Sequence, residues 1–227
     1  MKDYLFLIIT VNFENAEGLK TTVESLKSQL CKDFIHVVID GGSTVNPTEY
    51  LYHNTNYDYI SISEKDHGIY DGMNKGIDVG IAQCRWKFAI FLNSGDSLYD
   101  ELTLQLVKDY LYTNPFHADV LYGDTILTDL AYRTASQTPA LPHAIKYINR
   151  NMFCHHQSMF FSNSVLKKER YYADKYKHAG DYDLIARIWK AGYSFYYFGF
   201  PIARFVTGGR SYDSSFQRQT YKELRSI

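Results

Sequence analysis

Residues 88–96 read Phe88-Ala89-Ile90-Phe91-Leu92-Asn93-Ser94-Gly95-Asp96, an apolar run that passes into a short polar turn ending in a carboxylate. The apolar part is typical of a strand buried in a sheet. A carboxylate at the carboxyl end of a parallel strand lies where α/β sheets bind their ligands. Mg²⁺ commonly takes one or two protein carboxylates together with phosphate oxygens, so Asp96 is a candidate metal ligand. The alternative is that Asp96 caps a helix starting near Leu98, with Asp100 and Glu101 as its acidic first turn.

Short apolar runs alternate with helix-length amphipathic segments around this stretch. The pattern predicts strands at 4–11, 34–40, 58–62 and 86–92, and helices near 16–29, 46–53, 68–82 and 100–112. Such alternation indicates βαβ units and a mainly parallel sheet. After residue 115 the rhythm changes: residues 119–132 resemble two strands around a turn at Gly123-Asp124, and residues 133–151 predict a long loop or a weak helix. We therefore expect an α/β fold, a Rossmann-like, mainly parallel central sheet flanked by helices, with a mixed carboxyl-terminal region.

Composition narrows the class of protein. With 227 residues and 45% hydrophobic content, the chain can bury the core of a single domain spanning 1–227. The net charge of -1 gives no bulk electrostatic reason to expect nucleic-acid binding. Cys31, Cys84 and Cys154 are widely spaced, which argues against a disulfide framework or structural zinc and favours a cytoplasmic protein. No run reaches the roughly 18 apolar residues of a membrane span, so membrane association, at the inner face of the cell membrane, is expected to be peripheral.

Two further predicted strands end in hydrogen-bonding residues. The first carries Thr10 and Asn12 at its end, and the second runs into Asp40-Gly41-Gly42-Ser43. Neighbouring parallel strands would bring these ends to one edge, where Asp40 could accept the imide N–H of a pyrimidine and Thr10 or Asn12 could hold the base or ribose. Taken alone, the Asp40 segment favours the simpler interpretation of a polar turn after a strand.

Asp71 and Asn74 are the polar candidates of the predicted helix near 68–82. They lie three residues apart and therefore share a helix face. If that face borders the cleft, both could contact a ribose or a diphosphate. The equally weighted alternative is that Asp71 only stabilises the start of the helix through its dipole.

The carboxyl-terminal half offers a candidate base and two histidines. Residues 178–183, His178-Ala179-Gly180-Asp181-Tyr182-Asp183, open a predicted helix that stops at Gly192. Two acids in a first turn are ordinary helix chemistry, but one could also act as a base at a cleft. In Cys154-His155-His156-Gln157, neighbouring side chains on an extended chain point to opposite faces, which argues against a Cys–His dyad or a His–His metal pair. One of the two histidines could still contact acceptor or diphosphate, and a structural hydrogen bond is the alternative.

Taken in order, these segments resemble an inverting family 2 glycosyltransferase of the GT-A fold over nearly the whole chain. The resemblance is carried by Thr10 and Asn12, Asp40-Gly41-Gly42-Ser43, Asn74-Lys75-Gly76, Asn93-Ser94-Gly95-Asp96 and Gly180-Asp181-Tyr182-Asp183-Leu184. It implies transfer of a hexosyl or N-acetylhexosaminyl group from a nucleotide sugar, often UDP-linked, to an acceptor hydroxyl. Asp181 would be the general base, Asp96 would hold Mg²⁺ or Mn²⁺, and Asp40 and Thr10 would bind the base of the nucleotide.

The resemblance also implies a division of labour along the chain. Residues 1–115 would bind the nucleotide sugar, and residues 116–227 would face a glycan or lipid-linked saccharide acceptor in polysaccharide synthesis. Gly208-Gly209-Arg210-Ser211 resembles a loop that closes over the donor, where Arg210 could contact the diphosphate.

One departure from the family keeps an alternative open. Asn93 and Gly95 stand where the family commonly carries acids, which leaves Asp96 as the single carboxylate of that motif. This suggests a catalytically silent sugar-nucleotide-binding module as the alternative. A nucleotidyltransferase is disfavoured because Asn12-Phe13-Glu14-Asn15 is not the Gly-rich loop with a basic residue that such enzymes carry after their first strand.

Overall fold

The structure of the chain is a computed structural model that describes residues 1–114, 118–129, 131, 133–141, 145–146, 148, 152–171, 174–207 and 214–227. Its amino-terminal half alternates strands and helices as the sequence predicts. The elements are β1 (Lys2–Asn12), α1 (Ala16–Lys27), β2 (Phe34–Asp40), α2 (Thr48–Asn54), β3 (Asp58–Ser63), α3 (Ile69–Gln83), β4 (Cys84–Phe91), β5 (Ser97–Leu98) and α4 (Thr103–Thr113).

The second half is built from β6 (Val120–Thr128), β7 (Thr134–Thr138), a 3₁₀ turn (His156–Ser158), β8 (Met159–Ser162), α5 (Asn163–Leu166), α6 (Gly180–Lys190), β9 (Phe195–Val206) and α7 (Ser214–Leu224). Two predictions are wrong here. Residues 120–128 form one continuous strand rather than two strands around a turn, because β8 and β9 hydrogen-bond to it on either side. The strand only bulges at Gly123, where a Cβ would lie 2.4 Å from the Phe200 carbonyl oxygen. The predicted loop after residue 133 contains β7, which pairs with β6.

The described strands form a single sheet in the order β3-β2-β1-β4-β8-β6-β9-β5, with β7 alongside β6. Strands β3, β2, β1 and β4 are parallel, whereas β8 runs antiparallel to both β4 and β6. The α/β prediction of a parallel first half and a mixed second half is therefore confirmed. In the parallel half, Asn12 is in register with Asp40, and Asp40 with Ser63, so these strand ends meet at one edge.

Successive side chains of β1 point to opposite faces of the sheet, and the core accordingly has two layers. Leu7, Ile9 and Val11 face the layer that contains α3 and α6, whereas Phe6 and Ile8 face the layer that contains α4 and Leu26 of α1. No helix in the described part of the chain is both long and apolar enough to cross a membrane.

Helix α3 lies close to β1 because glycines line the contact. A Cβ at Gly72, Gly76 or Gly80 would lie 2.9, 2.4 and 2.4 Å from Val11, Ile9 and Leu7 respectively. This close approach fixes the amino-terminal end of α3 at the edge of the sheet where the polar strand ends meet.

Candidate active site

A closed hydrogen-bond network joins the ends of the parallel strands. Asn12 Nδ2 donates to Asp40 Oδ1 at 2.7 Å, and Ser94 Oγ donates to Asn12 Oδ1 at 2.8 Å. The other donors to Asp40 are the Ser63 hydroxyl at 2.7 Å and the hydroxyl and backbone N–H of Ser43 at 2.6 and 2.9 Å. Burial alone would raise the pKa of Asp40, but these donors together lower it. Since an ionised carboxylate offers about four acceptor positions, a ligand at Asp40 must replace one of these bonds.

Thr10 lies deeper than its sequence position suggests. Its side chain is fully buried, and its Oγ1 is 2.8 Å from His36 Nε2. Burial lowers the pKa of His36 to about 3, so this imidazole is neutral. The structure therefore places Thr10 behind the polar edge, in contact with the protein interior.

The turn at residues 93–96 is held by α1. Thr22 Oγ1 donates to the Asp96 carbonyl oxygen at 2.7 Å and accepts the Gly95 N–H at 3.1 Å. Gly95 has a φ of 107°, a conformation that suits glycine. Asp96 does not cap a helix, because α4 begins only at Thr103; Asp100 Oδ1 instead accepts the Leu102 N–H at 3.0 Å. The helix-cap alternative for Asp96 is therefore wrong.

The Asp96 carboxylate is buried among polar groups. Burial raises its pKa to about 7, against the opposing effects of His156, a hydrogen bond from Gln157 and backbone N–H groups. Among the described residues, Asn93 Oδ1 and Gln157 Oε1 are buried and have no hydrogen-bond partner. Two residues next to Asp96, Asn93 in the same turn and Gln157 at its carboxylate, thus have amide oxygens with unused acceptor capacity.

Asp181 lies in the first turn of α6 and is held from two sides. Its Oδ2 is 3.2 Å from His156 Nδ1, and its Oδ1 is 3.4 Å from the Tyr70 hydroxyl. Tyr70 stands at the start of α3 and stacks on Tyr171, with ring centroids 5.2 Å apart. Burial would raise the pKa of Asp181, but the hydrogen bond and charge of His156 and the backbone N–H of Tyr182 lower it below its ordinary value. Asp181 is therefore an ionised, oriented carboxylate at neutral pH.

His156 hydrogen-bonds to Asp181 and also influences Asp96 electrostatically. It lies in the 3₁₀ turn, interacts with both Asp96 and Asp181, and its Nε2 is buried without a partner among the described residues. The turn is anchored by Ser158, whose Oγ is 2.7 Å from Thr125 Oγ1 and donates to the Asp124 carbonyl oxygen at 2.9 Å. His155 instead stacks on Phe205 with ring centroids 5.4 Å apart, and burial lowers its pKa. Of the two histidines, His156 is the one that hydrogen-bonds to Asp181, and it also acts electrostatically on Asp96.

The remaining candidates lie around this centre. Asp71 accepts the His67 N–H at 3.0 Å and pairs with Lys75 at 3.5 Å. The amide of Asn74 is used by the backbone of Tyr171, at 3.0 and 3.1 Å, so it holds the residue on which Tyr70 stacks. Arg210 lies outside the described residues.

The second acid of the α6 first turn has a different environment. Asp183 pairs with Arg187 at 2.8 Å, and Arg187 also binds Glu169 at 2.7 Å. Because Asp183 is neutralised by this ion pair, Asp181 is the acid of the two that meets His156.

Comparison with known proteins identifies the family, although no family model matches the chain. The chain is 30% identical over 186 residues to a PGL/p-HBAD biosynthesis glycosyltransferase of Mycobacterium bovis (strain BCG / Pasteur 1173P2), covering 81% of the chain and 69% of that protein. This chain belongs to the glycosyltransferases. It is also 30% identical over 183 residues to an uncharacterized glycosyltransferase of Mycobacterium tuberculosis (strain ATCC 25618 / H37Rv), covering 79% of the chain and 67% of that protein.

Solved structures share the fold of this glycosyltransferase. S. aureus TarS 1-349 superposes with a TM-score of 0.67 at 16% identity, covering 91% of the chain. Mannosyltransferase PcManGT from Pyrobaculum calidifontis, in complex with GDP-Man and Mn²⁺, also gives 0.67, at 12% identity and over 98% of the chain. The chain spans 60% and 64% of those longer chains. At these identities the likeness concerns the fold alone.

The donor set at Asp96 decides which kind of metal site this glycosyltransferase could form. The described residues contain no group of three His, Cys, Asp or Glu side chains able to hold a metal ion. Asp96 with the unpartnered amide oxygens of Asn93 and Gln157 fits a hard cation that takes its other ligands from phosphate oxygens. The residues present therefore fit Mg²⁺ or Mn²⁺ shared with a bound diphosphate, not a cation held by protein alone.

Two residues of this centre carry no signal in the sequence. Tyr70 occupies a helix position that spacing assigns to the core, and Gln157 follows two histidines without any recognisable pattern. The structure brings Tyr70 against Gly180, which is far away in sequence and where a Cβ would lie 2.7 Å from the Tyr70 ring.

Proposed function

We propose that this glycosyltransferase is an inverting family 2 enzyme of the GT-A fold that transfers a sugar from a UDP-linked donor to an acceptor hydroxyl. The supporting observation is that His156 hydrogen-bonds to Asp181 at 3.2 Å, while the neighbouring Gln157 and the electrostatic effect of His156 act on Asp96, which is distant from Asp181 in sequence. An inverting transfer needs a base for the acceptor hydroxyl and charge neutralisation for the departing diphosphate, and two separate carboxylates supply these needs. Asp181 takes the first role and Asp96 the second.

The environment of Asp181 supports its role as general base. The carboxylate is ionised because His156 and a backbone N–H lower its pKa. Hydrogen bonds on both of its oxygens fix its orientation, and a positioned base typically contributes roughly 10² to 10⁴ in rate. Asp181 takes the proton of the acceptor hydroxyl as that oxygen attacks the anomeric carbon.

The environment of Asp96 supports a role at the diphosphate. Asp96, Asn93 and Gln157 would hold the cation, and a bound Mg²⁺ or Mn²⁺ supplies charge neutralisation for the leaving group. The neighbour PcManGT binds Mn²⁺ together with GDP-Man, which supports a metal in this fold.

The donor and acceptor follow from the relatives and from the polar edge. TarS 1-349 is known in complexes with UDP and with UDP-GlcNAc, which supports a UDP-linked hexosyl or N-acetylhexosaminyl donor. In residues 1–115, Asn12, Asp40, Asn93 and Ser94 would contact this donor, with Thr10, Asp71 and Asn74 supporting them. Residues 116–227 would bind a glycan or lipid-linked saccharide in polysaccharide synthesis. The three buried free cysteines support a cytoplasmic enzyme, with peripheral contact at the membrane.

The test is a screen of nucleotide sugars with purified protein and Mn²⁺, measuring thermal stabilisation and nucleotide release. We expect UDP and one UDP-sugar to stabilise the protein and that sugar to be turned over. Asp181→Asn should abolish release and retain stabilisation. The matched control is Asp78→Asn, since the Asp78 side chain lies on α3, is 71% exposed and pairs with Arg170 rather than with a residue of the candidate site.

Two outcomes would contradict the proposal in different ways. If UDP binds with Mn²⁺ but no UDP-sugar is cleaved and Asp181→Asn changes nothing, the chain is a silent sugar-nucleotide-binding module, as its single-carboxylate motif allows. Stabilisation by no nucleotide at all would overturn both functions.

A further inference from the structure

The carboxyl-terminal helix contributes a buried carboxylate to the segment that precedes Asp181. Glu223, in the last turn of α7, is only 7% exposed. Its carboxylate accepts three consecutive backbone N–H groups, those of Lys177 at 3.2 Å, His178 at 2.9 Å and Ala179 at 3.0 Å. Few side chains satisfy three successive backbone donors, and this one does so from an element far away in sequence.

These donors stand directly before α6. Ala179 is the N-cap of that helix, and its side chain makes no capping hydrogen bond to the first turn. Alanine is a poor N-cap because it offers no acceptor, and polar residues are preferred at this position. Glu223 compensates by fixing the backbone up to the cap, one residue before the helix begins and two before Asp181.

We infer that Glu223 is a positioning residue for the transfer reaction: docking of α7 sets the backbone from which Asp181 reaches His156. This inference rests on the proposed role of Asp181 as base. Glu223 does not touch the substrate; it acts through residues 177–179. The placement of the base would therefore depend on how α7 docks against residues 177–179.

The surroundings of Glu223 favour the ionised form of its carboxylate. Burial would raise the pKa of Glu223, but the His178 N–H, the Gln219 side chain and the N–H groups of Ala179 and Lys177 lower it. Ile227, beyond the helix, packs against the larger core layer and holds α7 in place. A neutral amide at position 223 would keep the shape but would direct an N–H₂ group at backbone donors.

The test compares Glu223→Gln with Lys222→Gln, an exposed position on the same helix. Hydrogen exchange reports the amides of residues 177–179, and steady-state kinetics give kcat and the donor KM. For Glu223→Gln we expect loss of protection at these amides and a fall in kcat of roughly tenfold to a hundredfold, since small displacements of a reacting group have effects of this size. Donor KM should stay within about twofold, because the polar edge at Asn12 and Asp40 is untouched. Lys222→Gln should change neither quantity.

A second variant separates positioning from folding. Glu223→Asp keeps the charge and shortens the side chain by one methylene, so we expect an intermediate kcat with near-normal stability. If kcat is unchanged in Glu223→Gln, whether or not the amides of residues 177–179 lose protection, Glu223 has only a structural role and the inference is overturned. A wild-type protein that turns over no nucleotide sugar would instead refute the proposed function, while the exchange data would still report whether Glu223 orders residues 177–179.

Discussion

Replacing His156 tests the link between the two carboxylates most directly. In His156→Phe a flat aromatic ring is kept, but Asp181 loses the hydrogen bond that spans 3.2 Å from Nδ1 to Oδ2. Burial, which raises the pKa of Asp181, would then meet less opposition. We therefore expect the pKa of the base to rise.

The size of the effect follows from the bond that is removed. A hydrogen bond to a charged group contributes about 1.5 to 3 kcal/mol, and one pKa unit corresponds to about 1.4 kcal/mol, so the shift is about one to two units upward. A protonated Asp181 accepts no proton, so activity disappears below its pKa. The acid limb of the kcat profile should move to higher pH by the same one to two units.

The assay measures nucleotide release against pH at saturating Mn²⁺ and donor, in the wild type, His156→Phe and His156→Gln. Glutamine can donate a hydrogen bond to Asp181 Oδ2, so the acid limb of His156→Gln should lie closer to that of the wild type than the acid limb of His156→Phe. If the ring had a purely steric role, His156→Phe would instead be the variant closer to the wild type. An acid limb that does not move in His156→Phe would refute the assignment of His156 as the group that keeps Asp181 ionised.

Three further predictions concern neighbouring contacts. Tyr70→Phe keeps the stacking on Tyr171 and removes only the long bond to Asp181, so kcat should fall about twofold to tenfold with little change in unfolding free energy, by kinetics and urea denaturation. Gly76→Ala should cost about 1 to 3 kcal/mol of unfolding free energy in urea denaturation, since its Cβ would lie 2.4 Å from Ile9. Folding raises the pKa of Asp96 from 3.8 to about 7, so without metal the folded state loses stability as pH rises between these values. Asp96→Asn should therefore raise Tm at neutral pH in metal-free buffer while removing the effect of Mn²⁺ on UDP binding; a lower Tm would contradict this.

The sequence predicts the parallel half of the fold well because its signals are local. A mainly apolar run, Phe34 to Ile39, followed by Asp40 predicts the strand β2 (Phe34–Asp40), as observed. Gly123-Asp124 misleads for the opposite reason: it is a common turn pair, yet the Asp124 carboxylate accepts the Tyr197 hydroxyl at 2.6 Å and the Ala140 N–H at 2.8 Å. Flanking strands and these long-range bonds keep β6 extended, and neither is visible in the local sequence.

The same distinction, between local sequence signals and long-range contacts, separates the two parts of the candidate site. The polar edge at Asn12 and Asp40 follows from parallel strand ends, so local pattern predicts it. The position of His156, which hydrogen-bonds to Asp181 and acts electrostatically on Asp96, follows from the sheet order, because β8 lies between β4 and β6 and the 3₁₀ turn that carries His156 runs directly into β8. The residues proposed for nucleotide contact and the residues proposed for proton abstraction are thus supported by different strands. A substitution that shifts β8 should therefore impair transfer and metal-dependent diphosphate binding more than contact with the nucleotide base, because Gln157 and His156 lie in the 3₁₀ turn whereas Asn12 and Asp40 lie on β1 and β2.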